Sequence, residues 1–309
     1  MKISDEAQQF FDGVRGRVAK YYGHEFTYQV KVILGPKPER SPEGKRVPGH
    51  GPSTTISAVD TLSLMPPAEK GGRPWHSWIR RERDRITNFV CFDGSVTRFY
   101  ERSADAGKYS IGAIYPWEEY LDWDDMDIFG RLVSNDLTIY CEYENPSWTK
   151  FEGFPRKWEV VEKRQYLGYP AHVLRGTYRD KERIVVVLDA PSYLVVSSEF
   201  WSRRQGDEKP DLAESLEITQ LEELDGFVYP AAGRFEEGKS STAQDMEYSF
   251  TVTDVKSLDE SAREEWFPPW PVWPLGISVQ DRVTGKNFYL PSERDLQPRL
   301  RRGSLPRAQ

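Results

Sequence analysis

Few residues of this chain are spaced for chemistry. His24-Glu25 opens like a zinc-peptidase helix motif, but position 28 is Tyr, so the second imidazole ligand is missing. The other histidines, His50, His76 and His172, are scattered, and no two have ligand spacing within one element. Asp122 to Asp127 is densely acidic. No register there gives three acids two apart, then the turn Gly and distal Glu of a calcium loop. The stretch reads as a negatively charged helix start or surface. No G-x-S-x-G elbow, Walker loop or dinucleotide fingerprint occurs, and Gly49-His-Gly51 lacks a strand–helix context, so no cofactor and no metal are expected. Trp117-Glu118-Glu119 and Trp123-Asp124 set rings beside carboxylates. Such groups could grip sugar and, as a carboxylate pair, hydrolyse it. Core Trp beside surface acids is the plainer account.

Two further groups leave alternatives open. Cys91 and Cys141 both lie in strand-like runs, NFVCF and LTIYCEY. They are either two buried free thiols or a disulfide across strands. The segment Trp266-Phe-Pro-Pro-Trp-Pro-Val-Trp-Pro274 holds four prolines, which forbid a helix and favour an extended path. Its rings, Trp266, Trp270 and Trp273, either seal one end of a core or form an aromatic lid over a ligand.

The elements that must position these residues are mostly strands. Residues 4–22 predict an amphipathic helix: Ser4 caps it, Asp5 and Glu6 suit its positive end, and Ala7, Phe10, Phe11, Val14, Val18, Tyr21 and Tyr22 keep the helical period. From Phe26 to Leu34 the period falls to two, with Phe26, Tyr28, Val30, Val32 and Leu34 on one side. Strands are expected at 55–64, 75–83, 85–92, 95–101, 108–115, 137–143, 157–166, 170–178, 183–188, 193–202, 214–222, 227–235 and 245–255. Asp93-Gly94 predicts a two-residue type I′ hairpin, because both residues tolerate positive φ. Pro116 opens a helical stretch running to Val133. Residues 35–53, 65–74, 203–211 and 236–243 read as loops, and 295–309 as a flexible polar tail. The expectation is one domain over 1–294: mainly β, a large curved antiparallel sheet forming an open half-barrel with helices plugging its concave side.

Composition agrees with a half-buried sheet. Of 309 residues, 38% are hydrophobic and 29% charged, yet 13% are aromatic, with 10 Trp, which a disordered chain would lack. A net charge of −7 argues against a nucleic-acid partner. Arg80, Arg81, Arg83 and Arg85 alternate with Glu82 and Asp84, so they read as a solvated strand face. No run reaches the ~20 apolar residues of a membrane helix. No export signal opens the chain, so either a cytoplasmic protein or a mature, trimmed form is expected.

Taken in order, these features resemble a family. The helix runs into Phe26-Thr-Tyr-Gln-Val-Lys-Val32, then a Trp/Arg strand, Trp78-Ile-Arg80-Arg81, then the hairpin Val90-Cys-Phe-Asp93-Gly94-Ser-Val-Thr-Arg-Phe-Tyr100. Mid-chain helices and more strands follow, including Tyr248-Ser-Phe250-Thr-Val252. The end has the form P-x-G-x-x-V-x-D-x-x-T-G, from Pro274 through Gly276, Val279, Asp281 and Thr284 to Gly285. This resembles the LolA-like superfamily of outer-membrane lipoprotein-sorting proteins. The resemblance implies a non-enzymatic, extracytoplasmic protein whose apolar concavity holds a lipid or an acylated lipoprotein, or which meets another envelope protein. The cavity and lid candidates are then Phe26, Tyr28, Val30, Val32, Phe99, Phe250, Val252, Trp266, Trp270 and Trp273. A family arginine that latches the lid corresponds loosely to Arg80 or Arg81. Two rivals stand beside this reading: an envelope sensor of the same fold with a self-filled cavity, and a carbohydrate-active protein using exposed Trp and paired carboxylates.

Overall fold

Alternation decides the first long strand. Between His24 and Leu34 the side chains of Phe26, Tyr28, Val30 and Val32 are buried, while Gln29 and Lys31 are exposed. A polar residue between each pair of apolar ones leaves one face that must be covered. The computed structural model describes residues 2–37, 39–40, 46–47, 49–70, 75–82, 85–101, 110–116, 129, 157–178, 181–202, 210–237, 245–259, 261 and 277–290.

In chain order these form β1 (Lys2–Ile3), helix α1 (Asp5–Arg17) with a 3₁₀ turn (Val18–Tyr21), β2 (His24–Leu34), β3 (Glu39–Arg40), β4 (Arg46–Val47), β5 (Thr54–Met65), β6 (Trp75–Glu82), β7 (Arg85–Phe92), β8 (Val96–Glu101) and β9 (Ser110–Pro116). After Phe129 come β10 (Lys157–Tyr166), β11 (Tyr169–Tyr178), β12 (Lys181–Leu188), β13 (Val195–Ser202), β14 (Asp211–Leu224), β15 (Phe227–Glu237), β16 (Met246–Ser257), β17 (Ile277–Asp281) and β18 (Lys286–Leu290). Sixteen strands join in the order β1-β10-β11-β12-β13-β14-β15-β16-β2-β5-β6-β7-β8-β9-β17-β18. Its ends, β1 and β18, are not paired with each other, so the sheet is open. This is the mainly β, open-sheet class expected from the sequence. The expected loop 35–53 contains a small ribbon of its own, β3 with β4.

Two of the described pairings run parallel rather than antiparallel. Lys2 and Ile3 lie beside Lys157 and Trp158, and Ile277 begins beside Ser110. Tight turns can join only antiparallel neighbours. These strands meet partners far away in sequence, which frees their direction.

The chain divides into two compact units: Met1–Tyr21, Thr27–Ala58 and Asp127–Val255 form the first, and Tyr22–Phe26, Val59–Met126 and Lys256–Gln309 the second. In the first unit, α1 lies on one face of the sheet. The Ser4 hydroxyl accepts from Ala7 N–H (3.2 Å), the expected cap. Phe10 packs against His172 (4.5 Å between ring centres), and Phe11 meets Trp158 (5.3 Å) and Tyr21 meets Phe227 (5.4 Å) edge to face. The Tyr21 hydroxyl donates to the Val228 carbonyl (3.1 Å). The helix closes earlier than its apolar period suggests, tightening to 3₁₀ after Arg17, and the chain turns at Gly23 (φ +79°).

The hairpins follow their turn residues. Leu167-Gly168 and Asp225-Gly226 both have positive φ at each position, which is type I′ geometry. The Asp93-Gly94 hairpin is present, but its turn sits one residue further on. Phe92 pairs with Thr97, and Asp93 N–H bonds to Val96 O (3.3 Å), so the loop is Gly94-Ser95. Positive φ at Gly94 alone (+86°) matches type II′. Asp93 instead braces the loop: its carboxylate accepts from Ser95 N–H (3.0 Å), Val96 N–H (2.9 Å) and the Arg98 guanidinium (2.7 Å). The D-x-x-T-G ending is a turn too. The Asp281 carboxylate accepts from Val283 N–H (2.9 Å), Thr284 N–H (3.0 Å) and the Thr284 hydroxyl (2.7 Å), and Gly285 takes φ +71°.

Gly13 faces the Tyr193 ring so closely that a Cβ there would overlap it. In an exposed helix, Gly→Ala gains about 1 kcal/mol. Here overpacking should outweigh that gain, and Gly13→Ala should cost about 1–3 kcal/mol in urea unfolding. An unchanged or raised midpoint would show that Tyr193 yields freely.

Candidate functional site

Cross-strand register assembles the face under α1 in the first unit. Leu174, Val185, Ser198, Leu216, Phe235 and Tyr248 stand opposite one another from β11 to β16, a single row on one face. In the next row Ile218 faces Gly233, and Gly233 faces Phe250. Gly233 is required there: a Cβ would meet the Phe250 ring at 2.7 Å. Phe129, helical and fully buried, stacks on Tyr28 (4.2 Å) and on Phe250 (5.1 Å). An aromatic side chain from the mid-chain segment thus packs over the neighbouring strands β2 and β16.

The cavity candidates are distributed as follows. Tyr28, Val30 and Val32 are buried on β2 and Phe250 on β16, with Tyr28 and Phe250 brought together through Phe129. Val252 is half-buried on the same strand as Phe250. Phe26 is buried on the portion of β2 that belongs to the second unit. Phe99, half-buried, also lies in the second unit, opposite Val90 and Ala113. Trp266, Trp270 and Trp273 lie outside the described residues, as do Cys141 and all of the 117–133 helical stretch except Phe129.

Among the charged groups set into apolar faces are Asp60 and Arg183. In the second unit, Asp60 shares its face with Leu62 and Leu64 and has no exposed surface. Its carboxylate accepts from Arg80 Nε (3.0 Å) and Nη2 (2.7 Å) and from the Trp78 indole N–H (3.3 Å). The Arg80 guanidinium also lies over the Trp78 ring, 5.2 Å from its centre. Charge-assisted bonds from two sides offset the cost of burying the carboxylate. Arg80 is therefore not part of a solvated face. The signal was Asp60 itself, an acid two residues from apolar Ala58 and Leu62 on a period-two strand.

In the first unit, Arg183 stands in the period of Val185 and Val187 on β12 and is buried with them. It donates to the Ser198 hydroxyl (3.4 Å) and to Glu214 (3.2 Å), and lies 4.8 Å from the centre of the Phe200 ring. A basic residue on the apolar register of 183–188 was the signal for it.

The opposite face of β10–β13 carries a groove of about 350 Å³, floored by Val161, Val173, Ile184 and Val186. Of its three carboxylates, Glu162, Glu182 and Glu199, two are engaged: Glu182 pairs with Arg175, and Glu199 accepts from the Trp201 indole (3.0 Å). Among the described residues, Trp78 and Trp158 are buried, and Trp75 and Trp201 are half-buried.

Burial sets the titration of two further groups in the second unit. It pushes the Cys91 thiol, a free cysteine, up to about 12, with small contributions from Arg98 and Asp93. Little thiolate then exists near neutrality. In a Cys141→Ser variant, the folded protein should resist a thiol reagent at pH 8 and react fully once denatured; fast labelling of folded protein would contradict the burial.

His76, stacked 5.2 Å from Phe92, is lowered by burial to about 3. The folded state thus refuses a proton that the unfolded chain takes near 6.5. Its contribution is complete above pH 6.5 and is lost as pH falls toward 3, by about 1.4 kcal/mol per pH unit. Unfolding free energies of wild type and His76→Gln between pH 6 and 4 should converge at that slope; parallel curves would refute it.

No family model matches the chain, and no curated protein matches it. Similar solved structures include a DUF1329 family protein from Desulfovibrio piger ATCC 29098, 12% identical, covering 86% of this chain and 98% of that one, with a TM-score of 0.42. An outer membrane lipoprotein-sorting protein domain from Vibrio parahaemolyticus is 13% identical over 84% of this chain and 94% of that one, with a TM-score of 0.39. A LolA superfamily protein from Nitrosomonas europaea is 11% identical over 84% and 96%, with a TM-score of 0.38.

Proposed function

We propose that this is a non-enzymatic protein of the cell envelope that shelters a hydrocarbon chain, from a lipid or an acylated lipoprotein, on the apolar face of its first unit. The observation that carries this reading is Phe129. Its ring, supplied by the mid-chain segment, packs against both Tyr28 and Phe250. Withdrawing that ring forfeits about 2–3 kcal/mol of burial, and roughly four buried CH₂ groups of an acyl chain offset it at about 0.8 kcal/mol each. A longer chain leaves a surplus. Binding of this kind makes and breaks no covalent bond. The extracytoplasmic setting belongs to the proposal and follows the sequence resemblance. No helix among the described residues is long and apolar enough to cross a membrane.

The same observation favours one second reading, an envelope sensor whose face is permanently filled by Phe129 and which meets another envelope protein.

Native mass spectrometry of gently purified protein separates the two. Acyl binding predicts adducts of lipid mass in wild type and a larger bound fraction in Phe129→Ala, which enlarges the space. A lipid-free wild type, together with a Phe129→Ala variant that gains no affinity for a fluorescent fatty acid, would establish the sensor reading instead. Phe129→Ala should also cost about 3–5 kcal/mol of stability without ligand, part of which added lipid restores.

A further inference from the structure

Arg183 is placed where an amphiphile would need a charge. Register puts it at the end of the α1 face, opposite Gly176 on β11 and Phe200 on β13, one row beyond Leu174, Val185, Ser198 and Leu216. Its side chain is only 7% exposed. A guanidinium offers five N–H donors in a fork suited to a two-pronged acceptor. Arg183 uses one on the Ser198 hydroxyl at 3.4 Å and one on Glu214 at 3.2 Å, leaving three. Charge-assisted bonds of this type ordinarily close to about 2.7–2.9 Å.

Arg80 provides the contrast. Its partner Asp60 is fully buried and takes Nε and Nη2 together, the shorter at 2.7 Å. That pair is locked. Glu214 keeps 29% of its side chain in water and holds Arg183 by one long bond. Leaving Arg183 would return its carboxylate to solvent at little desolvation cost. The Phe200 ring beneath the guanidinium keeps the cation in place when its partner changes.

We propose that Arg183 is the head-group anchor of this face, taking the carboxylate of a single-chain amphiphile whose hydrocarbon lies against the apolar rows, and that Glu214 is the internal carboxylate this ligand displaces. The proposal rests on the acyl-binding reading above. Ser198 supplies a further hydroxyl at the same position. The ligand class is a free fatty acid or another lipid ending in a carboxylate.

Titration of the full chain with dodecanoate and dodecanol, followed by calorimetry, tests it. Wild type should bind dodecanoate about tenfold more tightly than dodecanol, the worth of one charge-assisted contact. Arg183→Met should weaken dodecanoate to the level of dodecanol and leave dodecanol unchanged. Glu214→Gln, a conservative change at a half-exposed position, should tighten dodecanoate several-fold and leave dodecanol unchanged. Equal binding of both compounds by wild type, or a preference retained in Arg183→Met, overturns the anchor while leaving acyl binding intact. If neither compound binds, the acyl reading and the anchor fall together.

Discussion

A strand that alternates apolar and polar residues, as β2 does, has one face it must hide from water. Among the described residues of the first unit, α1 and Phe129 lie on that face, and the aromatic positions around them follow from that. The helix needs aromatic residues on its inner side, hence Phe10, Phe11 and Tyr21 against His172, Trp158 and Phe227. It needs a place to come close, hence Gly13 beneath Tyr193. The sheet needs a gap at Gly233 to seat the Phe250 ring that Phe129 then covers. Each is a steric consequence of packing a helix and large rings against one layer of strands.

A cover of this kind can be exchanged. Burial is non-directional and scales with area, so a hydrocarbon of similar bulk can replace a phenyl ring at comparable free energy. That is why one residue, Phe129, carries both the carrier reading and the sensor reading. Charges on such faces are a separate matter, because burying them is costly unless they are bonded. The two arginines resolve this differently. Arg80 is bound from two sides to a carboxylate with no exposure, and Arg183 is held by one long bond to a carboxylate that is still wet. The first is a fixture of the second unit. The second has donors to spare.

The motifs that carry the family resemblance have structural explanations. Asp93 braces a II′ loop and grips Arg98; burial works to raise its carboxyl, and bonds from Arg98, Val96 and Ser95 outweigh that and hold it below the usual range. Asp281, Thr284 and Gly285 close the β17–β18 hairpin. A turn demands such residues whatever the ligand, so they say little about what the chain binds.

The strands within the described residues and the amphipathic helix were legible in the sequence, because the period of two in Phe26–Leu34 and the helical period of 4–22 are local properties of the chain; the strand expected at 137–143 lies outside the described residues. So was the burial of Tyr28, Val30, Val32 and Phe250. The exact turn at Asp93 was not, since Asp-Gly suits two loop registers and the bonds from Arg98, Ser95 and Val96 select between them. Asp60 and Arg183 appeared in the sequence as charged residues on apolar registers. Their partners, Arg80, Trp78, Ser198 and Glu214, lie on other strands and could be chosen only by register. The parallel edges, Lys2 beside Lys157 and Ile277 beside Ser110, and the meeting of Phe129 with Tyr28 and Phe250, belong to tertiary structure alone. Period and turn chemistry act over a few residues, whereas contacts between distant segments depend on which arrangement buries the most area without stranding a polar group.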